Sequence, residues 1–358
     1  MKAISNENKI KLLIVDDSVF YRTAIANSLI NHPKIQVVGT AENPFDAKDK
    51  ILALKPDVMT LDVEMPKMSG IDFLKIMMPQ RPMPVVVVSS VSGIVFEAMR
   101  AGAVDFVAKP SAGKKGCLES FTQEIAAKVV IASKASMKRF QKPVKPNIMS
   151  SKPANVTPGV IAGNPNGLIA LGASTGGTEA TSVILRRLPK NIPGMVVTQH
   201  MPPVFTNMYA QRLDKECAVS VKEAADNDIV KPGWVYIAPG DKHLTVTKNG
   251  NDMVLHCRAG DKVNGHCPSV DVMFQSVAKF ADQSTVGILL TGMGADGAQG
   301  LLEMKNKGAF TIGQDEATCV VYGMPMVAKK LGAVTKQVPL EEIAPVLMNY
   351  LVAGNVKK

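Results

Sequence analysis

Residues 168–177 read Leu168-Ile-Ala-Leu-Gly-Ala-Ser174-Thr-Gly-Gly177. The first four form an apolar run of the kind that makes a strand buried on both faces. The glycines after it permit a sharp strand-to-helix turn, and a helix is expected from about Glu179 to Leu188. Such a turn lifts the Ser174 hydroxyl clear of the sheet. It also leaves the backbone N–H groups at the helix start facing a developing oxyanion. Gly172-Ala-Ser174-Thr-Gly176 satisfies the Gly-x-Ser-x-Gly elbow, although a glycine-rich turn carrying a surface serine fits these residues equally well.

A serine hydroxyl is a poor nucleophile without a base. His200 comes directly after an apolar strand, Met195-Val-Val-Thr-Gln199, which Pro202-Pro203 stops. If the two strands are parallel neighbours, Ser174 and His200 share one sheet edge. Of the other histidines, His243 reads as a turn residue, His256 and His266 as loop residues, and His32 belongs to the N-terminal half. A third buried strand, Val286-Gly-Ile-Leu-Leu290, exits through Thr291-Gly-Met-Gly-Ala-Asp296-Gly297. Asp296 can orient the imidazole there, or it can cap the next helix, Ala298 to Asn306. The order Ser174, His200, Asp296 differs from the Ser, Asp, His order of standard α/β-hydrolases, but a triad is defined by geometry. Two rival readings remain. Gly292-Met-Gly294-Ala-Asp-Gly297, with Asp315 further on, fits a dinucleotide-binding turn, which leaves Ser174 and His200 unexplained. His256-Cys257 and His266-Cys267 offer metal ligands, but zinc favours pairs spaced by two or more residues, and adjacent strand residues point to opposite faces.

The N-terminal half alternates short apolar runs with helical patterns: Lys11 to Val15, Asp57 to Leu61, Pro84 to Val88 and Asp105 to Ala108, with helices near Val19 to Ile30 and Phe96 to Arg100. That alternation implies a parallel sheet covered on both faces. Polar residues sit at the carboxyl ends of these runs: Asp16 and Asp17, then Asp62, Ser89 and Lys109. Carboxylates converging on one edge repel unless a cation joins them, and Mg²⁺, a hard oxygen-seeking ion, fits Asp16, Asp17 and Asp62. Metal on one side and the Lys109 ammonium on the other would neutralise an incoming phosphoryl group while Asp62 attacks phosphorus.

Composition bounds the remainder. At 358 residues, 46% hydrophobic and 20% charged, the chain can bury a core and suggests two domains. No apolar run approaches a membrane span, and residues 1–11 lack a secretory h-region, so an integral membrane protein is not expected. Five scattered cysteines fit reduced thiols in a cytosol. The net charge of +10 hints at nucleic acid, yet residues 131–165 hold six basic and no acidic residues, which leaves each flanking half at only +2. A nucleic-acid surface on a folded domain would show the opposite distribution. With five prolines among Lys, Ser and Asn, 131–165 reads as a flexible linker between domains at 1–130 and 166–358.

Leu12 to about Val130, with Asp16-Asp17, Asp62-Val-Glu-Met-Pro66, Gly70, Val88-Ser89 and Lys109-Pro110, resembles a response-regulator receiver domain. The resemblance implies a five-stranded flavodoxin-like fold, Mg²⁺, phosphate transfer from a histidine kinase to Asp62, Lys109 paired with the phosphoryl group, and Ser89 as switch hydroxyl. The C-terminal half carries, in order, Gly172-Ala-Ser-Thr-Gly-Gly177, Gln199-His-Met-Pro-Pro203, Tyr236-Ile-Ala-Pro-Gly-Asp241, Pro268-Ser-Val-Asp-Val272, Leu290-Thr-Gly-Met-Gly294 and Gln314-Asp-Glu316. This set resembles the chemotaxis protein-glutamate methylesterases of the CheB type. It implies a doubly wound, mostly parallel α/β catalytic domain with Ser174 as nucleophile, His200 as base and Asp296 as orienter. Thr175 would lie beside the nucleophile and the Met293 N–H in the oxyanion hole, with no cofactor at the hydrolase site. It further implies chemoreceptor substrates, demethylation and deamidation gated by phosphorylation of Asp62, and a cytoplasmic protein recruited to membrane receptor arrays. Ala295 and Cys267 stand where that family often has Asn and Arg.

Overall fold

The computed structural model describes residues 9–90, 92–110, 117–137, 164–250 and 252–355. It divides into two compact units, Met1–Pro146 and Asn147–Lys358. Most of the expected linker, residues 138–163, lies outside the described residues.

The strands of the first unit are β1 (Ile10–Val15), β2 (Ile35–Ala41), β3 (Val58–Asp62), β4 (Val85–Ser89) and β5 (Asp105–Ala108). They form one sheet in the order β2-β1-β3-β4-β5, with every neighbouring pair parallel. This is the flavodoxin-like order, in which ligands gather at the carboxyl edge of the sheet. β3 and β4 are buried at all five positions, which is why they read as unbroken apolar runs. β2 is an edge strand with mixed burial, and no apolar run announces it in the sequence. Asn43 caps the helix Pro44–Leu54 by accepting from the N–H groups of Phe45 and Asp46, each at 3.0 Å. The helix expected near Phe96 to Arg100 begins earlier, at Ser92, and the last helix of the unit, Cys117–Ala132, runs two residues beyond position 130.

The second unit contains β6 (Leu168–Ala173), β7 (Gly194–Gln199), β8 (Ser220–Glu223), β9 (Trp234–Ile237), β10 (His243–Asn249), β11 (Asp252–Arg258), β12 (Thr285–Leu289), β13 (Phe310–Gln314) and β14 (Lys336–Val338). Seven of these form a second sheet in the order β14-β13-β12-β6-β7-β9-β8, again parallel throughout. The other two, β10 and β11, make a separate antiparallel hairpin that packs against the helix Val270–Ala278. His243 therefore starts a strand and His256 lies within one, where the sequence suggested a turn and a loop. The alternating burial that betrays a half-exposed hairpin is diluted there by polar residues. Leu168, Val196, Tyr236, Leu255, Val270, Phe274, Leu289 and Met324 join the sheet, the hairpin and the helices Val270–Ala278 and Met324–Lys330 into one core. Each such side chain contributes about 1.5–3 kcal/mol by leaving water.

β6 is the strand at which the chain reverses direction across the sheet. β7 lies on one side of it and β12 on the other. The carboxyl ends of these three strands form the crevice where a doubly wound sheet places its chemistry. Among the described residues, no helix is long and apolar enough to cross a membrane.

Candidate active site

Ser174 directly follows β6 and His200 directly follows β7, with Ala173 and Gln199 in register across the two strands. The helix after Ser174 begins at Gly177, two residues before the expected start, and ends at Leu185. Its N-cap, Gly176, has φ +78°, a conformation costly for a residue with a Cβ, and a Cβ there would meet Val320 at 2.5 Å. The turn is braced from the exit of β12. Ser174 N–H donates to the Thr291 carbonyl at 3.0 Å, and the Thr291 hydroxyl donates to the Thr175 carbonyl at 3.0 Å. Gly292 lies so close that a Cβ on it would stand 2.6 Å from the Ser174 Cβ. Gly292, the first glycine of the supposed dinucleotide motif, thus lets the loops after β6 and β12 touch. On the other side, the buried Gln199 amide donates to the carbonyls of Ser174 at 2.9 Å and His200 at 3.3 Å.

The three side chains meet. His200 Nδ1 is 3.1 Å from Ser174 Oγ, and His200 Nε2 is 2.7 Å from Asp296 Oδ2. A carboxylate can only accept, so Nε2 carries the proton, and the neutral ring then presents its Nδ1 lone pair to the Ser174 hydroxyl. That is the protonation state a general base needs.

Asp296 does not cap the helix immediately after it, whose N-cap is Gly297. It instead faces the N-terminus of the helix Val270–Ala278. Its Oδ2 accepts from Val270 N–H at 2.7 Å, and its Oδ1 accepts from the Ser269 hydroxyl at 2.7 Å, Asp271 N–H at 3.1 Å and the Asn264 amide at 2.9 Å. Burial pushes this carboxyl up, but hydrogen bonds from His200, Asn264 and Ser269, with the His200 charge, overcome that and hold it well below the usual carboxylate range. The helix dipole adds to the preference for charge. Asp271, which accepts from Gly300 N–H at 2.7 Å, is shifted the other way, chiefly by burial.

Thr175 is buried beside Ser174, and Met293 is half-buried in the loop after β12. Among the described residues, nothing accepts from the Met293 N–H. The Gly177 N–H turns back to the Ser174 carbonyl at 2.7 Å, since a tight elbow consumes its own first donor. Asn264, Ser269, Gln199 and His266 were missed in the sequence. His266 stacks on His200, with ring centroids 3.6 Å apart and planes 12° from parallel. Asn264-Gly265, a strong tight-turn dipeptide, and Ser269, a helix N-cap, were the available signals. His256 alternates with the buried Cys257 along β11, and His266 lies over the triad, so the two His-Cys pairs form no metal cluster among the described residues.

In the first unit, Asp62 and Ser89 are the last residues of β3 and β4, while Asp16-Asp17 and Lys109 come directly after β1 and β5. Lys109 Nζ lies 2.6 Å from Asp62 Oδ2 and 2.9 Å from Asp16 Oδ2. Its N–H donates to the Ser89 carbonyl at 2.9 Å, and its ammonium sits 4.7 Å from the centre of the Tyr21 ring. Burial, aided by the Asp16 charge and opposed by Lys109, pushes Asp62 up to about 6. Asp16, Asp17 and Asp62 each offer an oxygen within 4.8 Å of the others. Despite the nearby Lys109, the buried Asp16 Oδ2 accepts no aligned hydrogen bond among the described residues. An all-oxygen donor set with an under-satisfied buried carboxylate fits Mg²⁺.

Comparison with known proteins agrees in both units. The family model for CheB methylesterase matches residues 169–347, and that for the response regulator receiver domain matches residues 12–118. A protein-glutamate methylesterase/protein-glutamine glutaminase 2 of Syntrophomonas wolfei is 51% identical over 343 residues, 96% of this chain and 98% of that protein. A protein-glutamate methylesterase/protein-glutamine glutaminase of Nitrosomonas europaea is 46% identical over 350 residues, 97% and 98% of the two chains. The crystal structure of the Thermotoga maritima CheB methylesterase catalytic domain is 39% identical with a TM-score of 0.50, over 51% of this chain and 97% of that one.

Proposed function

This chain belongs to the CheB methylesterase family, and on that footing we propose that it demethylates glutamate methyl esters on chemoreceptors, deamidates receptor glutamines, and is switched on by phosphorylation of Asp62. The observation that carries the hydrolase reading is the unbroken chain from the Ser174 hydroxyl through both nitrogens of His200 to Asp296.

The Ser174 proton passes to His200 Nδ1 as Oγ bonds to the ester carbonyl carbon. Asp296, already ionised, stabilises the imidazolium through Nε2–H. The carbonyl electrons move onto oxygen, for which the Met293 N–H is the donor, with Thr175 lining the wall of the site. Collapse re-forms the carbonyl and breaks the bond to the methoxy oxygen. His200 gives its proton to that oxygen, and methanol leaves. Water then attacks the acyl group while His200 takes its proton. The bond to Ser174 Oγ breaks, the His200 proton returns to the serine, and the product acid leaves as glutamate after giving its own proton to solvent. A primary amide takes the same path with ammonia as leaving group.

In the receiver, the Asp62 carboxylate takes the phosphoryl group from a histidine kinase. Lys109 holds the phosphoryl oxygens, and Ser89 is the switch hydroxyl at the end of β4. Asp16, Asp17 and Asp62 would hold Mg²⁺, whose charge offsets that of the phosphoryl group. Burial leaves the Asp62 charge costly even beside Lys109, and a bound cation would offset that cost. The domains of this reading are 1–130 and 166–358, with 131–165 as linker, and the protein works in the cytoplasm at receptor arrays. Methanol release from methylated receptor membranes, abolished in Ser174→Ala while receptor binding persists, tests the reading. Turnover by that variant would contradict it.

A further inference from the structure

Two hydrogen bonds hold His200, one at each ring nitrogen. Both bonds lie close to the line through Nδ1 and Nε2, so they resist displacement along that line far better than tilt or sideways drift of the ring. Something must press on a face of the ring.

The segment Val263–His266 supplies it. Val263 and His266 exchange both backbone hydrogen bonds, each at 3.0 Å. Asn264 and Gly265 take φ values of +54° and +83°, the left-handed pair that a two-residue turn of this hand requires. The turn is anchored through the Asn264 amide, which donates to Asp296 Oδ1 at 2.9 Å and Asp271 Oδ2 at 2.7 Å. From that anchor the His266 ring lies flat on His200, 3.6 Å between centroids and 12° from parallel.

Resting on the serine-hydrolase reading above, we infer that Val263–His266 is a clamp for the catalytic imidazole and that His266 is its positioning residue. Asn264 ties the turn to the triad acid. His266 blocks tilt of His200 and offers a π face to the imidazolium formed when the serine proton arrives. The clamp needs a flat ring, and it needs no proton transfer by His266.

The test uses the full-length protein with two substrates: methylated receptor membranes, and p-nitrophenyl acetate, a small ester that needs no receptor docking. In His266→Ala, kcat should fall about tenfold on both substrates with KM within about twofold, the loss expected when a reacting group is held less well. Thermal unfolding of this variant should match wild type. His266→Phe, which keeps a flat ring without nitrogens, should return kcat to within about threefold of wild type. A wild-type rate in His266→Ala overturns the clamp. So does a folded His266→Phe as slow as His266→Ala, because the nitrogens would then be the working feature. If wild-type protein and Ser174→Ala hydrolyse both substrates equally, the hydrolase reading itself fails, an outcome distinct from failure of the clamp.

Discussion

Asp296→Asn removes a charge from the best-satisfied carboxylate in the catalytic unit, and the hydrogen-bond network around it dictates the consequence. The carboxylate accepts five hydrogen bonds, two at Oδ2 and three at Oδ1. An amide must put its NH₂ on one side. On the Oδ1 side it meets Asp271 N–H, which cannot turn away, and Asn264, whose own amide is held by Asp271. On the Oδ2 side it meets Val270 N–H and His200 Nε2. The second choice costs less, because the imidazole can shift its proton to Nδ1 and accept at Nε2. A protonated Nδ1 cannot take the serine proton. The expected loss in kcat is therefore about 10⁴-fold, as for other triads forced into the wrong tautomer. The stranded Val270 N–H should cost about 1–3 kcal/mol of stability, and loss of the charge at a helix N-terminus up to about 1 kcal/mol more. The assay pairs single-turnover acylation by p-nitrophenyl acetate with urea unfolding. The folded pKa of Asp296 is depressed, so its contribution to stability is complete above the ordinary carboxylate value and is lost as pH falls through the folded one. The variant should lose that acid limb. A kcat within tenfold of wild type would refute the tautomer argument.

Three further perturbations have outcomes set by the same structure. Asp62 titrates at about 6 against an ordinary 3.8, so receiver stability should fall by about 3 kcal/mol as pH rises from about 4 to about 6. Asp62→Asn should flatten that pH dependence in thermal melts and abolish stimulation of the esterase by a small phosphodonor. Gly292→Ala drives a methyl to 2.6 Å from the Ser174 Cβ and closer still to Met324 Sδ, so kcat should fall about 100-fold by displacing the nucleophile, as read by methanol release. Val204, a β-branched and exposed residue, sits at φ +75° just before the helix Phe205–Glu216. Val204→Gly should stabilise the protein by about 1 kcal/mol, seen as a higher urea midpoint.

What the sequence disclosed depended on burial and on chain-local geometry. β3, β4, β6 and β7 are covered on both faces, so their residues form continuous apolar runs, and the polar residue after each run marks the sheet edge where chemistry sits. Ser174, His200, Asp62 and Ser89 were legible for that reason. β2, an edge strand with a mixed pattern, was not. Asp296 lies seven residues beyond Leu289, in a loop whose path only tertiary packing fixes, so the sequence left a cap on the next helix open beside the orienting role: it satisfies the N-terminus of Val270–Ala278 and leaves the next helix to Gly297. Asn264 and His266 are separated from His200 by more than sixty residues and act through a short turn, and neither hydrophobic periodicity nor spacing reports a ring stack.

We propose that Ser174, His200 and Asp296 act as one chain on a glutamyl ester under control of Asp62. The decisive measurement is methanol release from methylated chemoreceptor membranes, with and without a small phosphodonor. Wild-type protein should release methanol and accelerate with phosphodonor, Asp62→Asn should show no acceleration, and Ser174→Ala should release none. Methanol release by Ser174→Ala at the wild-type rate would contradict the account.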